Sequence, residues 1–225
     1  MIAKKDLPEL AKQDLAYILD KPGELIYSSH ETLKKGDLYV LGLNPGLIER
    51  NYNADRLENH IDKMLTKTHN SYLDEDWSTD NKKFAVGEAP LQRRMKYLLW
   101  TLGYDPKEVC ASNMIFASSK DADSVNYGLA GYCWRFHERI LDLVQPKMIL
   151  CFGVSSVSAY SFLQALTGSP QEPDTMASGH GKWKCESFTS DFNGRPTTVI
   201  GVPHLSYYDI TTKSKVIDWI KGKLS

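Results

Sequence analysis

Asn44 and His204 are the residues whose type and setting point most directly to chemistry. Asn44 lies in Leu-Gly-Leu-Asn-Pro-Gly, positions 41–46, and His204 in Val-Pro-His-Leu-Ser, positions 202–206. Each motif follows a short apolar run, Leu38-Tyr39-Val40-Leu41 in one case and Val199-Ile200-Gly201-Val202 in the other. Both therefore read as loops at strand ends. In a doubly wound α/β sheet such loops meet at the carboxyl edge of the strands, where ligands bind. The first loop supplies an amide and a Pro-Gly turn, the second an imidazole and the Ser206 hydroxyl. Such a set would position a water and steady a leaving group.

The elements that must carry these loops follow from hydrophobic spacing. Asp6 and Pro8 open a first helix whose apolar side is Leu7, Leu10, Leu15, Ile18 and Leu19, stopped by Lys21-Pro22-Gly23. Strands are expected at 37–43, Val109 to Phe116, Lys147 to Phe152 and Thr197 to Val202, with an edge strand at 182–190. Helices are expected at 90–102, 127–144, from Gly153 to about Leu166, and at 211–223. The uniformly apolar 147–152 run is that of a strand covered on both faces. This order predicts a three-layer α/β/α sandwich around a central, mostly parallel, four-stranded sheet. Residues 47–88, polar and carrying Asn51, Asn53, Asn59, Asn70 and Asn81, read as an insertion or lid with a helix at about 54–67. Residues 167–181 have loop composition.

Composition bounds the partners. With 225 residues and 42% hydrophobic content, the chain is long enough to bury one sizeable core, and a single domain over 1–225 is expected. Its 27 basic and 28 acidic side chains give a net charge of -1, so any nucleic-acid face must come from local clustering. No apolar run approaches a membrane span, and the start Met-Ile-Ala-Lys-Lys-Asp lacks a signal-peptide core, so a cytoplasmic monomer with no membrane partner is expected. Cys110, Cys133, Cys151 and Cys185 form no C-x-x-C pair, and His60, His69 and His137 show no metal spacing. All four cysteines read as reduced and structural, and neither metal nor cofactor is expected.

A third motif completes the site. Cys110-Ala111-Ser112-Asn113-Met114-Ile115-Phe116 places one amide in a strand-like run. A buried Asn is costly unless donor and acceptor are both matched, and a pyrimidine edge would match them.

With these three motifs in order, the chain resembles the uracil-DNA glycosylase superfamily over about residues 37–210. The strand followed by Gly42 to Gly46 is similar to the first motif of the mismatch-specific and single-strand-selective branches, which place Asn where the best-known branch has Asp. Asn113 resembles the uracil-reading position. His204-Leu205-Ser206 resembles the His-Pro-Ser motif with Leu205 in place of Pro, and Pro146 to Gly153 is similar to the strand and glycine before a core helix.

The resemblance implies a monofunctional glycosylase acting on DNA that contains uracil or a related damaged base. Asn44 would orient a water, more slowly than a carboxylate base would allow. A neutral His204 would donate to the pyrimidine O2 as negative charge develops on the departing base. Asn113 would accept from N3–H and donate to O4, a pairing cytosine does not satisfy. Gly42 and Gly46 would admit close backbone approach and Pro45 would fix the loop.

The base must be flipped to reach such a pocket. The slot for a stacking aromatic holds Asp55 to Leu57, so Tyr72 is the expected platform and Tyr52 the second choice. Tyr207 and Tyr208 would press into the duplex, Ser206 would hold a phosphate, and Lys120, Lys213 and Lys215 would add local positive charge. Singly, each motif has an ordinary reading: Asn-Pro-Gly is a type II turn, and the His and Tyr residues are packing groups. Two other functions fit the same residues, a hydrolase or transferase acting on free nucleosides or nucleotides, and a non-catalytic nucleic-acid-binding member of this fold.

Overall fold

The computed structural model describes residues 2–46, 56–79, 81–121, 123–168 and 172–224. In chain order the elements are α1 (Leu7–Asp14), β1 (Leu38–Gly42), α2 (Leu57–Lys63), α3 (Ser71–Asp74), α4 (Pro90–Thr101), β2 (Cys110–Asn113), α5 (Leu129–Val144), β3 (Met148–Phe152), α6 (Ala159–Leu166), β4 (Asp174–Ala177), β5 (Lys184–Phe192), β6 (Arg195–Val202) and α7 (Ser214–Lys221). The protein is a mixed α/β fold, and among the described residues six strands form one sheet in the order β2-β1-β3-β6-β5-β4.

The four strands expected from the sequence are its parallel core, β2-β1-β3-β6. The sheet has six strands rather than four because an antiparallel hairpin extends it past β6. Part of the expected loop at 167–181 is β4, and the expected edge strand is the inner strand β5, paired on both sides. The hairpin escaped detection because β4 is short and mostly exposed, so it carries no apolar alternation. At the opposite edge, Gly23 and Ile26 bridge to Ala117 and Ser112, and Tyr27 N–H donates to Ala111 O at 2.8 Å. This run covers the open side of β2.

β1 and β3 are buried at every position because their alternate side chains enter two cores. Tyr39, Leu41, Ile149 and Cys151 pack with α1, α5 and α6, whereas Val40, Leu150 and Phe152 pack with α4 and α7. The sheet thus has helices on both faces. All four cysteines are free and buried within these cores. No helix among the described residues is long and apolar enough to cross a membrane.

Several boundaries differ from expectation for local reasons. Gly153 adopts φ +111° and does not open a helix; α6 starts at Ala159, after Ser158 caps it by accepting from Ser161 N–H. Asp6 precedes α1 without a capping side-chain hydrogen bond. The described 56–79 part of the expected insertion or lid is packed on the domain. Leu57 and Ile61 are fully buried, and the Gln92 amide of α4, also buried, donates to Ser71 O and Glu75 O.

His137 on α5 ties this helix to the sheet below the site. Its Nε2 lies 3.1 Å from Met114 O, which can only accept, so Nε2 carries the proton and Nδ1 accepts from the Tyr39 hydroxyl at 2.9 Å. Burial pushes the imidazole pKa down to about 4. As pH falls below the ordinary value of 6.5 the unfolded chain takes up this proton first, so stability declines until the folded value near 4 is passed. His60, also lowered to about 4 by burial, acts in the same direction. Urea unfolding followed from pH 7 to 4 is expected to show this loss, on the order of 3 kcal/mol from His137. The loss should be smaller in His137→Gln, which keeps a donor and an acceptor but does not titrate.

Candidate active site

Parallel pairing sets the geometry of the site. Gly42 is opposite Asn113, and Phe152 is opposite Val202, so the carboxyl ends of β1, β2, β3 and β6 finish together. From that edge, the loops beginning at Leu43 and Pro203 project on the same side, as ligand sites of such sheets require.

Gly42 brings the edge together. A Cβ built on it would lie 2.1 Å from Asn113 Oδ1 and 2.5 Å from Phe152 Cζ. Phe152 in turn meets the His204 ring edge-on, with centroids 5.4 Å apart. Asn113, Gly42, Phe152 and His204 are therefore one continuous run of contacts, although Asn113 ends β2 and His204 follows β6, with β1 and β3 between those strands. Asn113 is 3% exposed, and its Nδ2 completes no hydrogen bond inside the protein. The Tyr27 hydroxyl lies beside the same side chain without a hydrogen bond to it, and burial holds the Tyr27 pKa well above its ordinary value.

The His204 loop is a tight turn. Its carbonyl accepts from the N–H groups of both Tyr207 and Tyr208 at 3.0 Å, and fully buried Leu205 anchors it in the core. Arg94 of α4 donates from Nη1 to the carbonyls of Leu205 and Ser206, at 2.7 and 2.8 Å. Ser206 N–H donates to His204 Nδ1 at 3.2 Å. Because Nδ1 accepts, the proton of the neutral ring is on Nε2. Burial lowers the His204 pKa, which favours that neutral form.

Asn44 is fixed differently. Its Nδ2 donates to Pro45 O at 2.9 Å and to Ser119 Oγ at 2.7 Å. A carbonyl cannot donate, so the amide orientation is determined and Oδ1 is the atom left to accept. The 42–46 loop is zipped along the chain after β2: Met114 and Ile115 donate to Gly42 and Leu43 carbonyls, and Ser119 to Pro45 O. Asn44 lines a cavity of ≈ 200 Å³ with Lys21, Ser118, Ser119, Ser124 and Asn126; the residues lining that cavity include neither Asn113 nor His204. The structure thus joins Gly42, Asn113 and His204 in one cluster and sets Asn44 and Pro45 beside it, with Asn44 facing a neighbouring cavity. A Cβ on Gly46 would meet nothing within 4 Å, so packing does not require glycine there.

The expected aromatic platform is placed otherwise. Tyr72 is 1% exposed, its ring held between Tyr27 at 5.6 Å and Trp77 at 5.8 Å, so no face is open for stacking. Tyr52, together with Asn51, Asn53 and Asp55, lies outside the described residues. Tyr207 is 75% exposed, whereas Tyr208 is fully buried and donates its hydroxyl to Ser178 O at 2.7 Å, which removes it from any surface role. Ser206 is partly exposed at the turn. Lys120 and Lys215 are exposed, and Lys213 is engaged with Gly179 O at 2.8 Å.

Tyr27 and Phe152 are the site residues that sequence reasoning missed. Phe152 ends an apolar strand and precedes a glycine, a position legible in the sequence. Tyr27 carries no local signal, because only the run bridged to β2 brings it to Asn113.

The close approach at Gly42 generates a test. Gly42→Ala must displace Asn113 or Phe152 and is expected to cost about 1–3 kcal/mol in urea unfolding, the usual range for overpacking. Gly46→Ala, with open space around it, should stay within about 0.5 kcal/mol of wild type. No family model matches the chain and no curated protein matches it, so the functional reading rests on the side chains themselves.

Proposed function

We propose that the chain is a monofunctional DNA glycosylase that hydrolyses the N-glycosidic bond of uracil or a related damaged base, on the three-layer fold of the uracil-DNA glycosylase superfamily. The observation that carries this reading is the pairing, along one strand edge, of a neutral imidazole bearing its proton on Nε2 with a buried amide whose Nδ2 has no partner.

Departure of the base leaves positive charge on the sugar and puts negative charge on the pyrimidine, so the barrier falls if donors already face that anion. His204 Nε2–H is such a donor. A neutral donor gains strength as the oxygen becomes anionic and costs no reorganisation when the bond breaks. Asn113 supplies the complementary edge: its unpartnered Nδ2 is to donate to O4 and its Oδ1 to accept from N3–H, a pairing that favours uracil over cytosine as long as the amide keeps this orientation. Phe152, 5% exposed, touching Gly42 and edge-on to His204, is the aromatic wall between the two halves of the site, and no open stacking platform replaces Tyr72 among the described residues. Asn44, with Nδ2 committed to Pro45 and Ser119, keeps Oδ1 to hold a water in the neighbouring cavity that it lines, so in this reading the attacking water comes from that side. An amide deprotonates water poorly, so turnover should be slow. Exposed Tyr207 is the wedge that fills the gap left by the flipped nucleotide, and Ser206 is the phosphate contact.

The decisive experiment is single-turnover cleavage of a uracil-containing oligonucleotide, read as strand scission after alkali. Wild type should produce scission. His204→Ala should lose about 10²–10³-fold, the range for removing one preorganised donor, with large losses in Asn44→Ala and Asn113→Ala. Binding should weaken steeply with salt, unlike the binding of a free nucleoside. Inactivity of wild type on uracil, hypoxanthine and oxidised pyrimidines alike rejects the reading.

The rate should also report the His204 charge. Because burial lowers its pKa, the imidazole is neutral at pH 7 and becomes charged only as the pH falls through that depressed value. The Ser206 N–H bond to Nδ1 is then lost. The single-turnover rate is expected to stay level across neutral pH and to drop on the acid side, and a rate that rises steadily on acidification contradicts the neutral-donor role.

A further inference from the structure

We propose that Glu24, His69 and Glu75 form a binding site for a divalent first-row transition cation, with zinc as its representative, that ties the 69–77 segment to the run covering the β2 edge. The proposal is independent of the glycosylase reading. One ligand atom from each of the three side chains falls within 4.8 Å of the other two. His69 Nε2 and Glu75 Oε1 are already 3.2 Å apart, close to the separation of neighbouring ligands around a tetrahedral ion. One imidazole with two carboxylates suits zinc and its neighbours better than magnesium or calcium, which take oxygen ligands.

The carboxylates are oriented by surrounding donors, as in built metal sites. Trp77 Nε1 donates to Glu75 Oε2 at 2.9 Å, and Ser71 Oγ donates to Glu24 Oε1 at 3.1 Å. Lys67 Nζ donates to that same Glu24 oxygen at 2.6 Å and so fixes the carboxylate. Lys67 balances only one of the two carboxylate charges.

A second observation points to a ligand there. Tyr72, 1% exposed, has a hydroxyl with no hydrogen-bond partner, and its ring lies 5.8 Å from that of Trp77, which donates to Glu75, so the hydroxyl belongs to the surroundings of the cluster. A water on the open coordination position of an ion held by the cluster would supply the partner that a buried hydroxyl requires. His69 is about half exposed, which gives the ion an entry path and the ring room to adjust. The sequence concealed the set because positions 24, 69 and 75 follow no metal-motif spacing.

The test uses tag-free, full-length protein stripped with a chelator and dialysed against zinc, with metal content and thermal unfolding measured together. One zinc per chain at micromolar free zinc, with a higher melting temperature, is expected. His69→Ala, a half-exposed position where folding is preserved, should bind at least about 10–100-fold more weakly, as should Glu75→Gln. His180→Ala, outside the cluster, should bind as wild type does. Failure of wild type to take up a stoichiometric ion, or His69→Ala binding with unchanged affinity, overturns the proposal.

Discussion

Two side chains press on Gly42 from opposite sides, the amide of Asn113 from β2 and the ring of Phe152 from β3. A methyl group there would overlap both, so the distance between the two functional halves of the edge is set by the absence of a side chain on the strand between them. Parallel pairing makes the contact possible, since it aligns Gly42 with Asn113 and Cys151 with Leu41 and so ends the three strands at one level. Given that alignment, His204 needs only Val202 paired to Phe152 and a two-residue reach to arrive beside the same ring. The remaining features of the site are means of holding this arrangement: Arg94 on two carbonyls, Leu205 in the core, and the zipped 42–46 loop.

Burial does two kinds of electrostatic work around that contact. For His137 and His204 it favours the neutral imidazole, and a hydrogen bond to one ring nitrogen then decides which nitrogen keeps the proton. Both rings keep the proton on Nε2, but that of His137 is spent on Met114 O inside the core, whereas that of His204 is not taken by its own loop. Around Glu24 the balance differs. Lys67 lies 2.6 Å from its carboxylate, with both side chains largely buried, yet desolvation outweighs the attraction and raises the Glu24 pKa. Such a pair holds position more than it adds stability, because desolvating the charges offsets much of their attraction. Here it fixes Leu25 to Tyr27 against Ser71 and so sets the wall of aromatic rings beside Asn113.

The stretch read as a lid shows how polar sequence can be structural. Its polar residues bind backbone: Asn70 Oδ1 accepts from Tyr72 N–H and its amide donates to Pro106 O, while Gln92 receives Ala89 N–H and donates to two carbonyls. Besides Leu57, Ile61, Met64 and Tyr72 in the cores, the segment is thereby held through satisfied hydrogen bonds, which hydrophobic periodicity does not register.

The sequence by itself determined the alternation of elements, the four parallel strands and the placement of Asn44, Asn113 and His204 at their carboxyl ends, because apolar runs and turn residues act over a few neighbouring positions. It pointed in the same way to four reduced, structural cysteines, with Cys110 and Cys151 in buried strands, and all four are free and buried. Tertiary structure alone decided the β4–β5 hairpin, the enclosure of Tyr72 and Tyr208, the cavity that Asn44 faces, and the arrival of Phe152 and Tyr27 beside Asn113. Each of these depends on which distant segment supplies the partner for a ring, an amide or a strand edge. Local pattern says that such a group must be matched, and only the folded chain says by what.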